Sequence, residues 1–245
     1  MLKRCIVVGA AGGIGTALVH RLAREGYRIA AVDLRREAVE KLCDEVNNGT
    51  EVCWPFVHDV TDAETAQEVF DAAVDKLDGL DTIIYAAGVQ PRITEDQYDT
   101  ALDKLTIDVN TTGVIAWLNP AATRFALQGS GTIAAIGSCA GDRGRRGYPA
   151  YCASKAAVHA YLEALRNRLA VKGVHVLTIK PGPVHTPLTA GMDGLKFPIT
   201  PDKAAGDIFA ALRRQTDIAY VPWKFAVIMA VIRSIPSIIF RRMSV

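Results

Sequence analysis

Tyr151 and Lys155 stand four residues apart in the stretch GYPAYCASKAA, residues 147 to 157. On a helix that spacing puts both side chains on one face. A phenol near pKa ~10 is a poor base at neutral pH, and a cation one helical turn away lowers it. Such a pair can pass a proton to or from an oxygen of a small molecule. The same spacing also occurs at the start of an ordinary solvated helix, so the pair alone does not decide. Tyr148 offers a second phenol, but Cys152 occupies the place of a lysine four residues on, and Pro149 disfavours helical backbone at Tyr148. It reads as a loop residue that lines a substrate site or packs beneath it. Ser138 lies 13 residues before Tyr151, just past an apolar run. Its hydroxyl can steady a reacting oxygen, and the competing reading is a turn serine.

A second cluster lies at the start of the chain, where Gly9, Gly13 and Gly15 form G-x-x-x-G-x-G in VGAAGGIG. The cluster follows one apolar run and opens a helical pattern. Bare backbone N–H groups and the positive end of a helix together suit a phosphate, so the context predicts a dinucleotide site. Asp33 follows Gly9 by 24 residues and closes the next apolar run. A carboxylate there accepts the ribose hydroxyls of an adenosine and repels a 2′-phosphate, which favours NAD. Arg35 and Arg36 keep NADP as the alternative, and a helix N-cap is the structural reading of Asp33. Asp59 is placed to meet the adenine edge, while Thr61 and Asp62, with Glu64 nearby, read as caps of the next helix. His58 reads as a strand-end residue, and the other four histidines show no metal-ligand spacing, so no metal is expected.

The elements that must carry these residues alternate. Apolar runs at 5–8, 28–32, 52–57, 82–87, 131–136, 174–179 and 218–221 are separated by helical patterns such as Ile14, Leu18 and Leu22. This predicts an α/β fold, a doubly wound parallel sheet of about seven strands with helices on both faces. The 245 residues, half of them apolar, fit one domain over 1–245. A formal charge of +2 gives no reason to expect nucleic acid, and Arg143, Arg145 and Arg146 read as a solvated loop. Five scattered cysteines without a C-x-x-C pair argue for reduced thiols in a cytoplasmic setting, and Cys152 reads as a packed side chain. The first residues lack the long apolar stretch of a signal peptide.

In order along the chain, GAAGGIG, Asp59-Val60, Ala86-Ala87-Gly88, Asn110 in VNTTG, Ser138 in IGSCAG, Tyr151 to Lys155, and PGPVHTP at 181–187 resemble the short-chain dehydrogenase/reductase family. The resemblance covers roughly residues 3 to 190. It implies a Rossmann fold, a homodimer or homotetramer with contacts near 98–127 and 152–170, and hydride transfer between NAD(H) and a secondary alcohol or ketone. It implies Tyr151 as general acid/base and Ser138 as the orienting hydroxyl. Lys155 would lower the Tyr151 pKa and hold the nicotinamide ribose, and Asn110 would hold a water in the proton relay. Cofactor contacts are implied at Gly9, Gly13, Ile14, Gly15, Asp33, Asp59, Val60, Ala87, Gly88, Pro181, Gly182, Val184 and Thr186, the last on the carboxamide. Substrate contacts fall on Ser138, Tyr148 and Tyr151. Where relatives carry N-N-A-G, this chain has Tyr85-Ala86-Ala87-Gly88, so a brace of the central sheet must come from elsewhere. An NADPH-dependent carbonyl or 3-oxoacyl reductase is the alternative. A dinucleotide sensor without turnover is a third reading, and the lack of a C-terminal substrate domain argues against a nucleotide-sugar enzyme.

Residues 190–200 carry the glycines of a substrate flap, and 222–245 form an apolar C-terminal extension. FAVIMAVI, 225–232, is apolar all round and predicts burial on every side. The extension could cover the cleft or a subunit interface, lie in a membrane surface with Lys224, Arg241 and Arg242 at the headgroups, or span the bilayer. The first two suit a lipophilic substrate such as a steroid or acyl ketone.

Overall fold

The computed structural model describes residues 3–192 and 194–243. Strands β1 (Lys3–Val8), β2 (Tyr27–Asp33), β3 (Cys53–Val57), β4 (Thr82–Tyr85), β5 (Gly131–Ile136), β6 (Val174–Pro181) and β7 (Ile218–Val221) form one sheet. Their order is β3-β2-β1-β4-β5-β6-β7, all parallel. Each apolar run singled out in the sequence contains a strand, although Ala86 and Ala87 lie beyond the end of β4. The strands read as continuous apolar runs because both faces of the sheet are covered.

Helices α1 (Gly13–Arg24), α2 (Arg36–Asn47) and α7 (Pro201–Arg213) lie on one face, where Leu18, Leu42 and Ile208 join Val7 and Ile29 in one core. Helices α3 (Ala66–Leu77), α4 (Thr100–Ile107), α5 (Gly113–Gln128) and α6 (Pro149–Leu169) follow in chain order. From α3, α5 and α6 come Phe70, Trp117 and Leu162, which fill the opposite core with Ile83 and Ile133. Each such side chain contributes roughly 1.5–3 kcal/mol by leaving water. Val8 pairs in register with both Val32 and Tyr85, and Ile136 with Ile179, so the carboxyl ends of the strands align along one edge. The strand order reverses between β1 and β4, and there a crevice opens beyond that edge.

Three local readings change. Helix α3 begins at Ala66, later than capping by Thr61 or Asp62 predicts; Asp62 instead accepts from Glu64 N (3.2 Å) and the Thr65 hydroxyl (2.7 Å), closing the turn ahead of the helix. Between α4 and α5 the chain opens into a π-helical turn, Asp108–Thr112, which holds Asn110. All five cysteines are free and buried, yet Cys43 and Cys53, on α2 and β3, bring their sulfurs within 3.0 Å.

The C-terminal extension forms α8 (Lys224–Ser234) and α9 (Ser237–Phe240). Phe225 and Met229 are buried against Cys139, but Val227 and Val231 on the other side of α8 are 60% and 61% exposed. Burial on every side, expected from the unbroken apolar run, therefore holds for one face of α8 only. Among the described residues no helix is long and apolar enough to cross a membrane.

Candidate active site

The glycine turn joins β1 to α1. Gly9 has φ +81°, and a Cβ there would lie 2.4 Å from Ala87 N, so the turn closes against the end of β4 only as glycine. Gly12 caps α1 without any side-chain hydrogen bond, and the first turn of α1 carries no acidic residue. Its leading N–H groups therefore remain available to a phosphate at the positive end of the helix. Thr186, after β6, packs its methyl toward Gly13, where a Cβ would meet it at 2.6 Å. The loop from PGPVHTP thus closes onto the glycine turn, and this cradle fits a dinucleotide pyrophosphate.

Asp33 is buried at the end of β2. Its carboxylate accepts from Ala11 N at 2.9 Å and from Arg35 N and Nε at 3.1 and 3.2 Å. Arg35 also donates to Ala11 O at 2.6 Å and lines the cleft, whereas Asp33 sits behind it. Asp59 accepts from Thr61 N and Oγ at 2.9 and 2.7 Å, an engagement within its own turn. Gly9, Asp59 and Val60 lie outside the lining of the cleft, while Gly13, Ile14, Gly15, Ala87, Gly88, Pro181, Gly182, Val184 and Thr186 line it.

The cleft has a volume of about 830 Å³ and takes in Ser138, Tyr148, Tyr151 and Lys155 along one side. Tyr148 caps α6, with Pro149 at its first position, where a missing N–H costs nothing. Within the first turn of α6 Tyr151 lines the cleft together with Ser138, and one turn further on Lys155 is buried. Lys155 Nζ donates to Ile136 O at 2.9 Å and lies 5.8 Å from the Tyr151 ring centre. Burial pushes the phenol up to about 12, with Ser138 pulling it the other way, and lowers the ammonium to about 8. Both shifts favour the neutral form, as desolvation requires.

Asn110 is fully buried. Its amide exchanges two 2.9 Å bonds with Val89 N and O and donates to Ser154 Oγ at 3.1 Å. Ser154 in turn donates to Tyr151 O at 2.8 Å, so Asn110 ties the β4 end to the helix that carries the tyrosine. At Gly88 a Cβ would approach Asn110 Oδ1 at 3.3 Å and Lys155 Nζ at 3.4 Å, so the three converge. The brace made necessary by Ala86 comes from Tyr85 beside it, whose buried phenol donates to Val109 O at 2.8 Å.

Behind Ser138 lies a polar group that the sequence reading did not single out. The Asp142 side chain is 2% exposed and accepts from Lys180 Nζ (2.6 Å) and Tyr220 OH (2.5 Å), with His159 Nδ1 at 3.5 Å. His159 Nε2 accepts from Ser138 N at 3.4 Å. These donors hold the Asp142 carboxyl well below the usual carboxylate range, against burial, and burial also lowers His159. The only sequence signals were an Asp four residues after Ser138 and a Lys just before Pro181-Gly182. Arg143 and Arg146, read as a solvated loop, are instead bonded to the C-terminal segment. Arg143 Nη1 donates to the carbonyls of Ile232, Arg233 and Ile235 at 2.6–3.1 Å, and Arg146 Nη2 to Arg241 O at 3.1 Å.

Another part of the lining is apolar. Phe225, Ile228, Met229 and Ile232 of α8 face Leu195 and Phe197 of the flap, and position 193 within the expected flap lies outside the described residues. Gly182 lets Phe225 in, since a Cβ there would stand 2.4 Å from its ring.

A doubly wound sheet with a glycine turn at its switch point and Ser138, Tyr151 and Lys155 in the cleft beyond it fits an α/β oxidoreductase. The chain belongs to the short chain dehydrogenase family, whose sequence profile matches residues 3–193. An uncharacterized oxidoreductase of Myxococcus xanthus is 30% identical over 243 residues, 97% of this chain and 94% of that protein. The 3-oxoacyl-[acyl-carrier-protein] reductase of Thermotoga maritima is 30% identical over 192 residues, 76% of each chain. The solved structure of ElxO with NADP bound superposes with a TM-score of 0.81 at 21% identity, over 90% of this chain and 97% of that one.

Proposed function

We propose that this oxidoreductase interconverts a lipophilic secondary alcohol and its ketone with a nicotinamide dinucleotide. The observation that carries the reading is the convergence of Ser138, Tyr151 and buried Lys155 in a cleft that α8 and the flap also line with apolar side chains. The cradle of Gly13, Ile14, Gly15 and Thr186 would hold the dinucleotide, which when bound supplies or takes up the hydride.

The side chains account for the proton. In reduction Tyr151, neutral at pH 7, gives its proton to the carbonyl oxygen as charge develops there, and the Ser138 hydroxyl donates to the same oxygen. Lys155 faces the phenolate that remains and lowers its cost. In oxidation the same phenolate takes the proton back. Asn110 fixes α6 at Tyr151 through Ser154, and by family resemblance would hold the relay water.

NAD(H) is the preferred cofactor in this reading, on the strength of Asp33. The Arg35 guanidinium over that carboxylate favours a second reading, NADP(H), because a 2′-phosphate would meet a cation before it met Asp33. Turnover of a series of methyl ketones of increasing chain length, against polar sugars, with NADH and NADPH side by side tests both. kcat/KM rising with chain length supports the apolar wall; activity confined to sugars overturns it. Arg35→Ala should weaken NADPH use and spare NADH.

A further inference from the structure

The outer side of α8 is apolar and largely exposed among the described residues. Trp223, Val227 and Val231 follow one another at four-residue spacing and are 75%, 60% and 61% exposed. Ile238 and Ile239 on α9 are exposed at 60% and 53%. Phe197 of the flap, 58% exposed, joins them through Lys224, whose Nζ lies 4.9 Å from its ring centre. Scattered apolar residues on a surface need no explanation, but an exposed apolar stripe on a helix whose other face lines a cleft does.

Charge identifies what meets this face. From Ile218 to the end of the sequence there is no Asp or Glu, whereas Lys224, Arg233, Arg241 and Arg242 are present and exposed. Apolar side chains flanked by cations, with a tryptophan at the border, suit the headgroup boundary of an anionic bilayer. The segment is also fastened for such a task. Arg143 caps the carbonyls at the end of α8 and lies 4.1 Å from the Phe240 ring centre, and Arg146 holds Arg241 O. The helix thus stays as a surface element of the folded domain.

We propose that the outer face of α8 and α9, with Trp223 and Phe197, docks this protein on the surface of an anionic membrane. The inner face of the same helix lines the cleft through Phe225, Ile228, Met229 and Ile232, and Phe197 belongs to both surfaces. Docking therefore brings the mouth of the cleft to the lipid surface, where an apolar alcohol or ketone is concentrated. The docking itself does not rest on the catalytic reading, and its test reads no turnover.

The full-length protein is mixed with phosphatidylcholine vesicles, with or without about one third phosphatidylglycerol. Of the three tryptophans, Trp54 and Trp117 are buried, so an emission change on mixing reports Trp223. The expected result is cosedimentation with the anionic vesicles and a blue shift, the shift vanishing in Trp223→Phe while sedimentation persists. V227D/V231D, two changes outside the cleft lining, should abolish both signals with the circular dichroism unchanged. R241Q/R242Q should weaken binding roughly fivefold per charge removed. Failure of the unaltered protein to bind either vesicle overturns the proposal. So does a change of sedimentation mass in V227D/V231D without lipid, since a second copy of the chain would then be what covers this face.

Discussion

On the Ser138 side of the cleft, Asp142 takes hydrogen bonds from β6 and β7 and through His159 reaches the backbone of Ser138 itself. On the α8 side the wall includes Phe225 and Met229 inserted beside Cys139, secured at the far end by the guanidinium of Arg143. The first wall cannot move without leaving a buried charge unpaired, which is expensive and directional. The second rests mainly on apolar contact, which is non-directional, so small adjustments there cost less. The cleft thus combines a rigid side, where a proton must cross a fixed distance, with an adaptable side that accepts substrates of differing shape.

The sharpest break of the rigid side is Tyr151→Phe. It removes the proton donor and leaves the ring packed, so kcat/KM should fall on the order of 10³-fold. Dinucleotide affinity, read by quenching of protein fluorescence, should stay within about twofold. Retention of turnover would place the acid/base elsewhere, and Tyr148, which also lines the cleft, would be the next phenol to remove.

Asp142→Asn tests whether the polar group is what holds that wall. It leaves Lys180 buried beside a neutral amide, and breaking such a pair costs about 3 kcal/mol or more. Chemical denaturation should register that loss, and Asp142→Asn with Lys180→Met together should recover most of it, because no lone ammonium then remains inside. A single variant as stable as the original chain would mean that the pair does not brace the site.

The contrast between the walls also explains what the sequence could reveal. Tyr151, Lys155, Ser138 and the glycine turn are legible because their chemistry demands fixed residue types at fixed spacings on one helix, one strand end and one turn. The strands are legible because a sheet covered on both faces requires unbroken apolar runs. Asp142, His159, Lys180 and Tyr220 meet through the ordering of β5, β6 and β7, and the positions of Asp142 after Ser138 and of Lys180 before Pro181 do not by themselves bring them together. Asp33 shows the opposite failure. Its place after β2 is legible, but its engagement by Ala11 N and Arg35 depends on how the glycine turn folds back. The all-round apolar character of α8 was visible; that only one of its faces would be buried was not.

Charge sets a smaller effect on the rigid side. Lys155 loses its proton in the folded protein near pH 8, while Tyr151 stays protonated up to about 12. Reductive kcat/KM should therefore decline above about pH 8, approaching tenfold per pH unit, as the cation facing the phenolate disappears. Stability moves the other way. The unfolded chain keeps this proton up to 10.5 and the folded chain only to about 8, so between those values the unfolded state binds more protons and stability gains with pH. Lys155→Met should remove that gain relative to the original chain, a difference measurable by thermal unfolding at pH 7.5 and pH 10.

The smallest expected effect tests the adaptable side. Arg143→Ala removes one charged donor from three carbonyls at the end of α8, a loss of about 1–2 kcal/mol. Because the apolar inner face stays seated, the loss should appear as local opening of α8, not as global unfolding. Amide exchange in residues 228–235 should quicken roughly tenfold while exchange in β5 and β6 holds. KM for long-chain ketones should rise severalfold with kcat nearly constant, since the proton-transfer set is untouched. Arg143→Lys should fall between the two, because an ammonium cannot match the guanidinium's planar fork of donors. If exchange in β5 and the turn after Ser138 quickened equally, the two walls would form one cooperative unit, and the division between a rigid and an adaptable side would fail.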